Sequence, residues 1–414
     1  MILSLDDDDR ALLDGGHGPG AKAAMELLLR YARVVDAESF VPIASAHIDG
    51  CLYHGPSGLD FVNRFRALGA RVRVPTTMNV AAVDVTQPPL HRGDPALIAE
   101  QSDLTAGYVA LGCMPTLTCA PYQRIIRPRF GEQVAWAESN AIVFANSVLG
   151  ARTDRYGDFA DLCAALTGRV PRSGLHLDAR RIPRLSLHMS TIASAGLPRD
   201  LYFATVGYVT GTRAGSLVPV LSGLPADTTE DDLKALGAAA ASSGSVALFH
   251  ATGITPEAPS PNALAALDLP TLRVDATELH AAFARLCPVA PRDPVAAVCL
   301  GTPHFSWREF QDLAACIRDA GGPARVPVFV STAREIAEAV RADAMAASFD
   351  AFGVTLVVDT CTYLAPVAPD APGVILTNSA KWAHYGPGNL GRRAGLLDMA
   401  RCITSAVAGV VVSS

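Results

Sequence analysis

Residues 296–310 read AAVCLGTPHFSWREF. An apolar run ends in Gly301-Thr302-Pro303-His304. Ser306 then stands three residues before Glu309, the spacing of a helix capping box. Strand-like run, polar turn and helix start follow one another within fifteen residues. The same rhythm returns twice, in GVTLVVDTCTYLAP (353–366) and GVILTNSAKWAHYGPGN (373–389). Strands that alternate with helices build a parallel or mixed sheet, and the ligand crevice of such a sheet lies beyond the carboxyl ends of its strands. Three polar loops in that position are the first place to look for chemistry.

The rest of the chain keeps the rhythm. Residues 21–35 have helical spacing of apolar positions, and Asp6 to Asp9 sit where a helix would begin. PIASAHI (42–48) reads as a strand ending at Asp49-Gly50. FVNRFRALGA (61–70) reads as a helix with a glycine stop, and RVRVPTT (71–77) as a strand running into a loop. AWAESNAIVFANSVL (135–149) is apolar all round, as a buried helix would be. Its polar members Glu138, Asn140, Asn146 and Ser147 each need a partner or a task there. Residues 219–290 repeat strand and helix signals on a smaller scale, including a strand over SVALFH (245–250). The fold class expected is α/β, multi-lobed, with one lobe over 1–210 plus 361–414 and a second over 211–360.

Hydrophobic residues make up 50% of the 414 and charged residues 18%, which suits a large packed globule. The net charge of −6 comes without a basic run, which argues against nucleic acid and anionic membrane as partners. MILSLDDDDR is acidic where an export signal would be basic, and no long apolar segment follows, so a cytoplasmic protein is expected. Nine cysteines then point to core thiols, a reactive thiol or metal ligands rather than a disulfide framework.

Cys119 lies in T-C-A-P, Cys361 in V-V-D-T-C-T, and Cys299 at the end of a strand-like run. Such positions let thiolates converge on an iron–sulfur cluster, although free cysteine is also among the most buried residue types. No CxxC pair occurs, which excludes ferredoxin-like and zinc-ribbon sites. Cys163, Cys316 and Cys402 lie in helix-like, Ala-rich runs and read as core thiols. Lys381 is either a carboxylate clamp on a glycine-rich turn or a solvated loop lysine. His304 is a site residue or a satisfied core histidine. Ser306 and Glu309 read as caps, and Asp49 as a turn former. GGHGPG near the start follows no strand, so it fails as a phosphate loop.

These motifs together resemble the large, catalytic part of the aconitase X family: AHIDGCLYHG, RVRVPTTMN, TLTCAPYQ, GEQVAWAESNAIVFANSVLGART, GTPHFS, VVDTCTYLAP and TNSAKWAHYGPGN. The resemblance runs from the N-terminal helix to about Asn389. It implies a hydro-lyase of the aconitase superfamily that takes water from cis-3-hydroxy-L-proline to give Δ1-pyrroline-2-carboxylate. It further implies an iron–sulfur cluster, [2Fe-2S], [3Fe-4S] or [4Fe-4S], or a mononuclear iron, as Lewis acid, and a separate small swivelling-domain subunit as partner. By the family's motifs Cys119 and Cys361 are metal ligands. Thr302 stands where the archaeal branch has a cysteine, which favours hydroxyproline over phosphomevalonate and leaves Cys299 or Cys113 for a third ligand. Lys381, His304 and Glu138 are the catalytic candidates. His47, Thr76, Thr77, Asn79, Ser139, Asn140 and Ser379 are the candidate substrate contacts. A different small hydroxy acid is the nearer alternative, and a non-catalytic iron–sulfur or redox-sensing protein the further one.

Overall fold

The computed structural model describes residues 3–412, so the ends of the 1–414 span, including Met1 and Ile2 of the acidic N-terminal stretch, lie outside the described residues. The chain forms two compact units. The first holds residues up to 82 and 96–182; the second holds 83–95 and the chain from 183 onward, so the 211–360 stretch lies wholly within the second.

In the first unit, helix α1 (Asp7–Asp14) is capped by Asp6 and α2 (Pro19–Val34) begins on its proline. A parallel three-stranded sheet follows in the order β2-β1-β3, with β1 at Ala46–Ile48, β2 at Thr76–Met78 and β3 at Ala135–Trp136. Helices α3 (Pro56–Ala67) and α4 (Ala96–Ala110) lie between these strands in the chain. The segment read as one helix over 135–149 divides instead. Its first two residues are β3, Glu138 is an N-cap, α5 runs Ser139–Phe144, and a π turn closes it at Ala145–Leu149. RVRVPTT also shifts, because residues 71–75 are irregular and the strand begins at Thr76. Helix α6 (Ala160–Thr167) is buried from Asp161 to its end.

In the second unit, one parallel sheet has the order β6-β5-β4-β7, with β4 at Leu185–Met189, β5 at Pro219–Ser222, β6 at His250–Ala251 and β7 at Thr271–Val274. The strand expected over 245–250 is thus only two residues long and begins at the end of that run. Helix α7 (Arg199–Ala214) connects β4 to β5, α8 (Glu230–Ser243) connects β5 to β6, and α9 (Ala276–Leu286) follows β7. A β-carbon at Gly207 would lie 2.2 Å from Leu236 O, so glycine is what lets α7 and α8 pack this closely.

The second unit's other sheet has five parallel strands in the order β10-β9-β8-β11-β12. Its members are β8 (Val295–Phe305), β9 (Val328–Thr332), β10 (Val354–Val357), β11 (Val374–Thr377) and β12 (Ala394–Leu396). Helices α10 (Trp307–Asp319), α11 (Ala380–Leu390) and α12 (Met399–Ala408) pack with it. Val298, Leu300, Val330, Phe310, Leu376 and Ile403 form its core. β8 is buried at all eleven positions, as expected for a central parallel strand.

The turn read at Gly301–His304 is strand. β8 continues to Phe305 through an irregularity in its pairing with β9 between Leu300 and Phe305. Gly301 has φ +85°, and a β-carbon there would lie 2.1 Å from Ser331 O. Glycine alone permits both that backbone angle and that approach. The Thr302–Pro303 peptide is cis. Ser306 then caps α10 with the full capping box to Glu309.

Candidate active site and metal centre

Period two places His47 and Asp49 on one side of β1, and Thr77 and Asn79 on one side of β2. His47 Nδ1 lies 2.8 Å from Thr77 Oγ1. One step further along the strands, the Asn79 amide donates to the Asp49 carboxylate. Glu138 follows β3 at the same edge. Its carboxylate accepts from Ala141 N at 2.6 Å and from Ser139 Oγ at 3.1 Å, which starts α5. The carboxyl edge of this sheet therefore carries Asn79, Asp49 and Glu138 in a row, with the imidazole of His47 one layer below. Thr76 faces the other way and donates to Val74 O at 2.8 Å.

His47 is fully buried, and burial lowers its pKa to about 4 against the opposing charge of Glu138, so the ring is neutral. Asp49 is partly buried. Burial first, then the charges of Glu138 and Asp158, raise its carboxyl to about 7. Beneath it, the buried carboxylate of Asp161 accepts from Asp49 N at 2.8 Å, Gly50 N at 3.3 Å and Leu162 N at 2.6 Å. Burial nevertheless holds Asp161 up at about 6.

Helix α5 also organises the Cys119 loop. Asn140 Nδ2 donates to Cys119 O at 3.1 Å and to Tyr122 Oη at 2.8 Å, and the Tyr122 ring stacks on Phe144. Cys119 is buried just before a short 3-10 turn at Pro121–Gln123. Asn146, the other buried asparagine of this segment, closes a ring with Thr153 and Arg181. Cys113 is a deeply buried thiol beside the core of the same unit, and burial with the charge of Asp161 raises its pKa.

In the second unit, His304 is fully buried near the end of β8, with Nε2 3.2 Å from Thr360 O. A ring nitrogen of His304 and Cys361 Sγ lie within 4.8 Å of each other. When Nε2–H donates to a carbonyl, Nδ1 keeps its lone pair for a metal, the usual arrangement of a ligating histidine. Thiolate and imidazole donors suit iron or an iron–sulfur cluster. Cys299, in the middle of β8, is fully buried with its thiol pushed up to about 12 by burial.

Lys381 does not lie on a loop. The run read as a glycine-rich turn is helix α11, with Ser379 as its N-cap accepting from Trp382 N at 3.1 Å and Pro387 inside it. Lys381 is buried in the first turn, its ammonium 5.9 Å from the centre of the Tyr363 ring. The neighbouring Trp382 indole donates to Thr362 Oγ1 at 3.0 Å, which ties α11 to the Cys361 loop.

Within their units, His47, Thr77, Asn79 and Glu138 share one edge, and His304 and Cys361 share another. Three groups in these surroundings escaped the sequence reading. Asp49, taken as a turn former, is signalled only by lying two residues after His47 at a strand end. Asp161 lies inside α6 and Lys234, whose ammonium is 3.4 Å from His304 O, inside α8, and neither carries a local mark.

Family models of the aconitase X first, second and third domains match residues 2–179, 184–284 and 295–408. Together these matches cover most of the chain, and the chain belongs to the aconitase X family. It is 42% identical over 98% of its length to the cis-3-hydroxy-L-proline dehydratase of Pseudomonas aeruginosa, spanning 70% of that protein. It is 40% identical over 99% of its length to the enzyme of the same name from Hypocrea jecorina, spanning 69% of it. The phosphomevalonate dehydratase large subunit of Methanothermobacter thermautotrophicus is 36% identical, with 94% of each chain covered. The crystal structure of Thermococcus kodakaraensis aconitase X in its holo form superposes with a TM-score of 0.85 at 30% identity, covering 98% of this chain and 100% of that one. The expected family and fold class are therefore borne out. Among the described residues no helix is long and apolar enough to cross a membrane.

Proposed function

We propose that this chain is the catalytic part of a dehydratase that converts cis-3-hydroxy-L-proline to Δ1-pyrroline-2-carboxylate. The observation that carries the reading is the 42% identity, over nearly the whole chain, to a dehydratase of that substrate. Thr302 within G-x-P-H agrees with it, as does the buried His304–Cys361 pair, whose donors fit iron.

Cys119, Cys361 and His304 are the ligands we propose, with His304 taking the third place for which Cys299 and Cys113 also stood. These residues would hold an iron centre, which would supply Lewis acidity toward the leaving 3-hydroxyl. The remaining work falls to the protein. Lys381, buried and fixed by α11, holds the substrate carboxylate and stabilises the charge that builds on it as the α-proton leaves. Ser379 starts that helix and so orients Lys381. The strand-edge groups His47, Thr77 and Asn79, with Glu138, Ser139 and Asn140 of the α5 start, hold the ring. By analogy with the relatives named as large subunits, a small partner subunit completes the site and supplies the proton acceptor.

The test is water loss from cis-3-hydroxy-L-proline, beside phosphomevalonate, by the anaerobically purified chain with a small partner. Hydroxyproline turnover that Cys119→Ser and Cys361→Ser abolish, and Cys163→Ser leaves intact, is the expected result. Turnover of phosphomevalonate alone would overturn it.

A further inference from the structure

The loop that carries Cys361 is held in a backbone form that its residues do not favour. Asp359, two residues earlier in V-V-D-T-C, has φ +65°. That is the left-handed region, unfavourable for any residue with a side chain and tolerated by aspartate better than by most. An ion pair holds it there. Arg334, the first residue of the helix Arg334–Ala342, donates from Nε to Asp359 Oδ1 at 2.5 Å and from Nη2 to Oδ2 at 2.8 Å. Asp359 is fully buried, and a forked pair fixes direction as well as distance. A second buried carboxylate, Asp84, fixes the residues just before. It belongs to the same unit, and its Oδ2 accepts from Val358 N at 3.1 Å and from the Gln87 amide at 3.0 Å. That amide also donates to Leu356 O at 3.0 Å. Asp359 first, and then the charge of Asp84, hold the Arg334 guanidinium above its ordinary pKa. Beyond Asp359 the chain reaches both proposed iron ligands of this unit. Thr360 O lies 3.2 Å from His304 Nε2, and Cys361 follows. Cys361 O then accepts from Leu364 N at 2.9 Å and Ala365 N at 3.1 Å, which closes the loop.

We propose that Arg334 is a positioning residue for the metal centre. By clamping the Asp359 carboxylate it holds the left-handed turn, and the turn sets Cys361 directly and His304 through Thr360 O. The inference rests on the reading of Cys361 and His304 as iron ligands. Arg334 itself supplies no donor atom to a metal, because a guanidinium has no lone pair to give. Its effect is preorganisation. A thiolate and an imidazole already held in place bind a metal without first having to be ordered. A lysine could match the charge but not the fork, so the geometry asks for arginine.

The probe is Co(II), titrated anaerobically into the metal-free full chain, because its thiolate charge-transfer band reports a bound cysteine. Removing a group that orients a metal ligand costs about tenfold to a hundredfold in metal affinity, and Arg334→Met should weaken Co(II) by that factor and shift the band. Arg213→Met, which removes an ion pair to Glu278 elsewhere in the unit, should stay within about twofold of the wild type. Arg334→Met strands a buried carboxylate. If it does not fold, Arg334→Met/Asp359→Asn carries the test, since it removes that charge and keeps a side chain at ease with the left-handed angle. The same loss is expected of it. The second measurement is hydrogen exchange of the metal-free chain, which should quicken at Leu364 and Ala365 and stay unchanged in the strands of the sheet. Wild-type Co(II) affinity in the folded variant overturns the positioning role, as does exchange that is unchanged or that quickens evenly across the unit. Exchange quickened only in the loop, in a chain whose Co(II) binding Cys361→Ser does not weaken, overturns the metal reading and leaves the clamp on the Cys361 loop standing.

Discussion

Lys234 offers the sharpest test of how the second unit holds its site. Its side chain is buried in α8, with the ammonium 2.9 Å from Asp231 Oδ1, bonded to Glu309 Oε2, and 3.4 Å from His304 O. Glu309 Oε2 also accepts from Ser306 N at 2.7 Å, and Ser306 Oγ donates to Asp231 at 2.8 Å. One cation thus joins α8 to the cap of α10 and to the backbone of the histidine in β8. The two carboxylates hold the lysine charged, pushing its pKa above the ordinary value. Glu309 is pushed up to about 7 by burial, with the ammonium pulling it back. Lys234→Met removes that pull and leaves buried carboxylates unpaired, a loss of about 3–5 kcal/mol. For a unit of this size that is a fall in melting temperature of roughly 6–20 °C at pH 8. The sign with pH follows from Glu309. Without the ammonium it takes up a proton more readily, so the penalty shrinks on going from pH 8 to pH 5.5. The double variant Lys234→Met/Glu309→Gln should recover much of the loss, since the stranded charge is gone. Calorimetric melting of the three proteins at both pH values decides it. A shift under 2 °C at pH 8, or an equal penalty at both pH values, refutes the network.

Two further outcomes follow from buried groups in the other elements. Asp161 holds a proton to about 6 against an ordinary 3.8 because it is buried, so its stabilisation is complete below pH 4 and lost as pH rises through 6. Urea unfolding of the wild type against Asp161→Asn should show the difference in stability falling by about 2 kcal/mol between pH 4 and pH 7, and a flat difference contradicts it. Gly301→Ala places a β-carbon against Ser331 O at a left-handed backbone angle, and should cost at least about 1–3 kcal/mol. The urea midpoint measures this loss, and bound iron should fall with it because His304 lies three residues on.

The βαβ rhythm, the strands that precede the three polar runs and the α10 capping box were legible because each rests on a local signal, an apolar run or a residue pair at fixed spacing. What was not legible depended on partners far away in the chain. Pro387 and the glycines around it spell a turn in TNSAKWAHYGPGN, yet Ser379 caps a helix that runs through them, because Trp382 is fully buried and bonded to Thr362. GTPHF spells a turn too, but pairing with β9 carries the strand through it to Phe305. Local propensity lost to tertiary packing in both places. The buried polar residues of 135–149 were legible only as a question, since the partners that answer it, the Cys119 loop, Thr153 and Arg181, are not marked in the segment itself.

Those answers separate structural polarity from functional polarity. Asn146 is buried and fully engaged by Thr153 and Arg181, so burial of an asparagine there says nothing about a ligand. Asn79 is equally buried, but its bond to Asp49 consumes the N–H and leaves the carbonyl idle. His47 shows the same asymmetry, one ring nitrogen bonded to Thr77 and the other without a partner. A packed interior pays for such idle atoms only where something else is meant to meet them. Their position at the carboxyl edge of a parallel sheet, where the ligands of such folds are met, is what separates these two idle atoms from the engaged ones of Asn146.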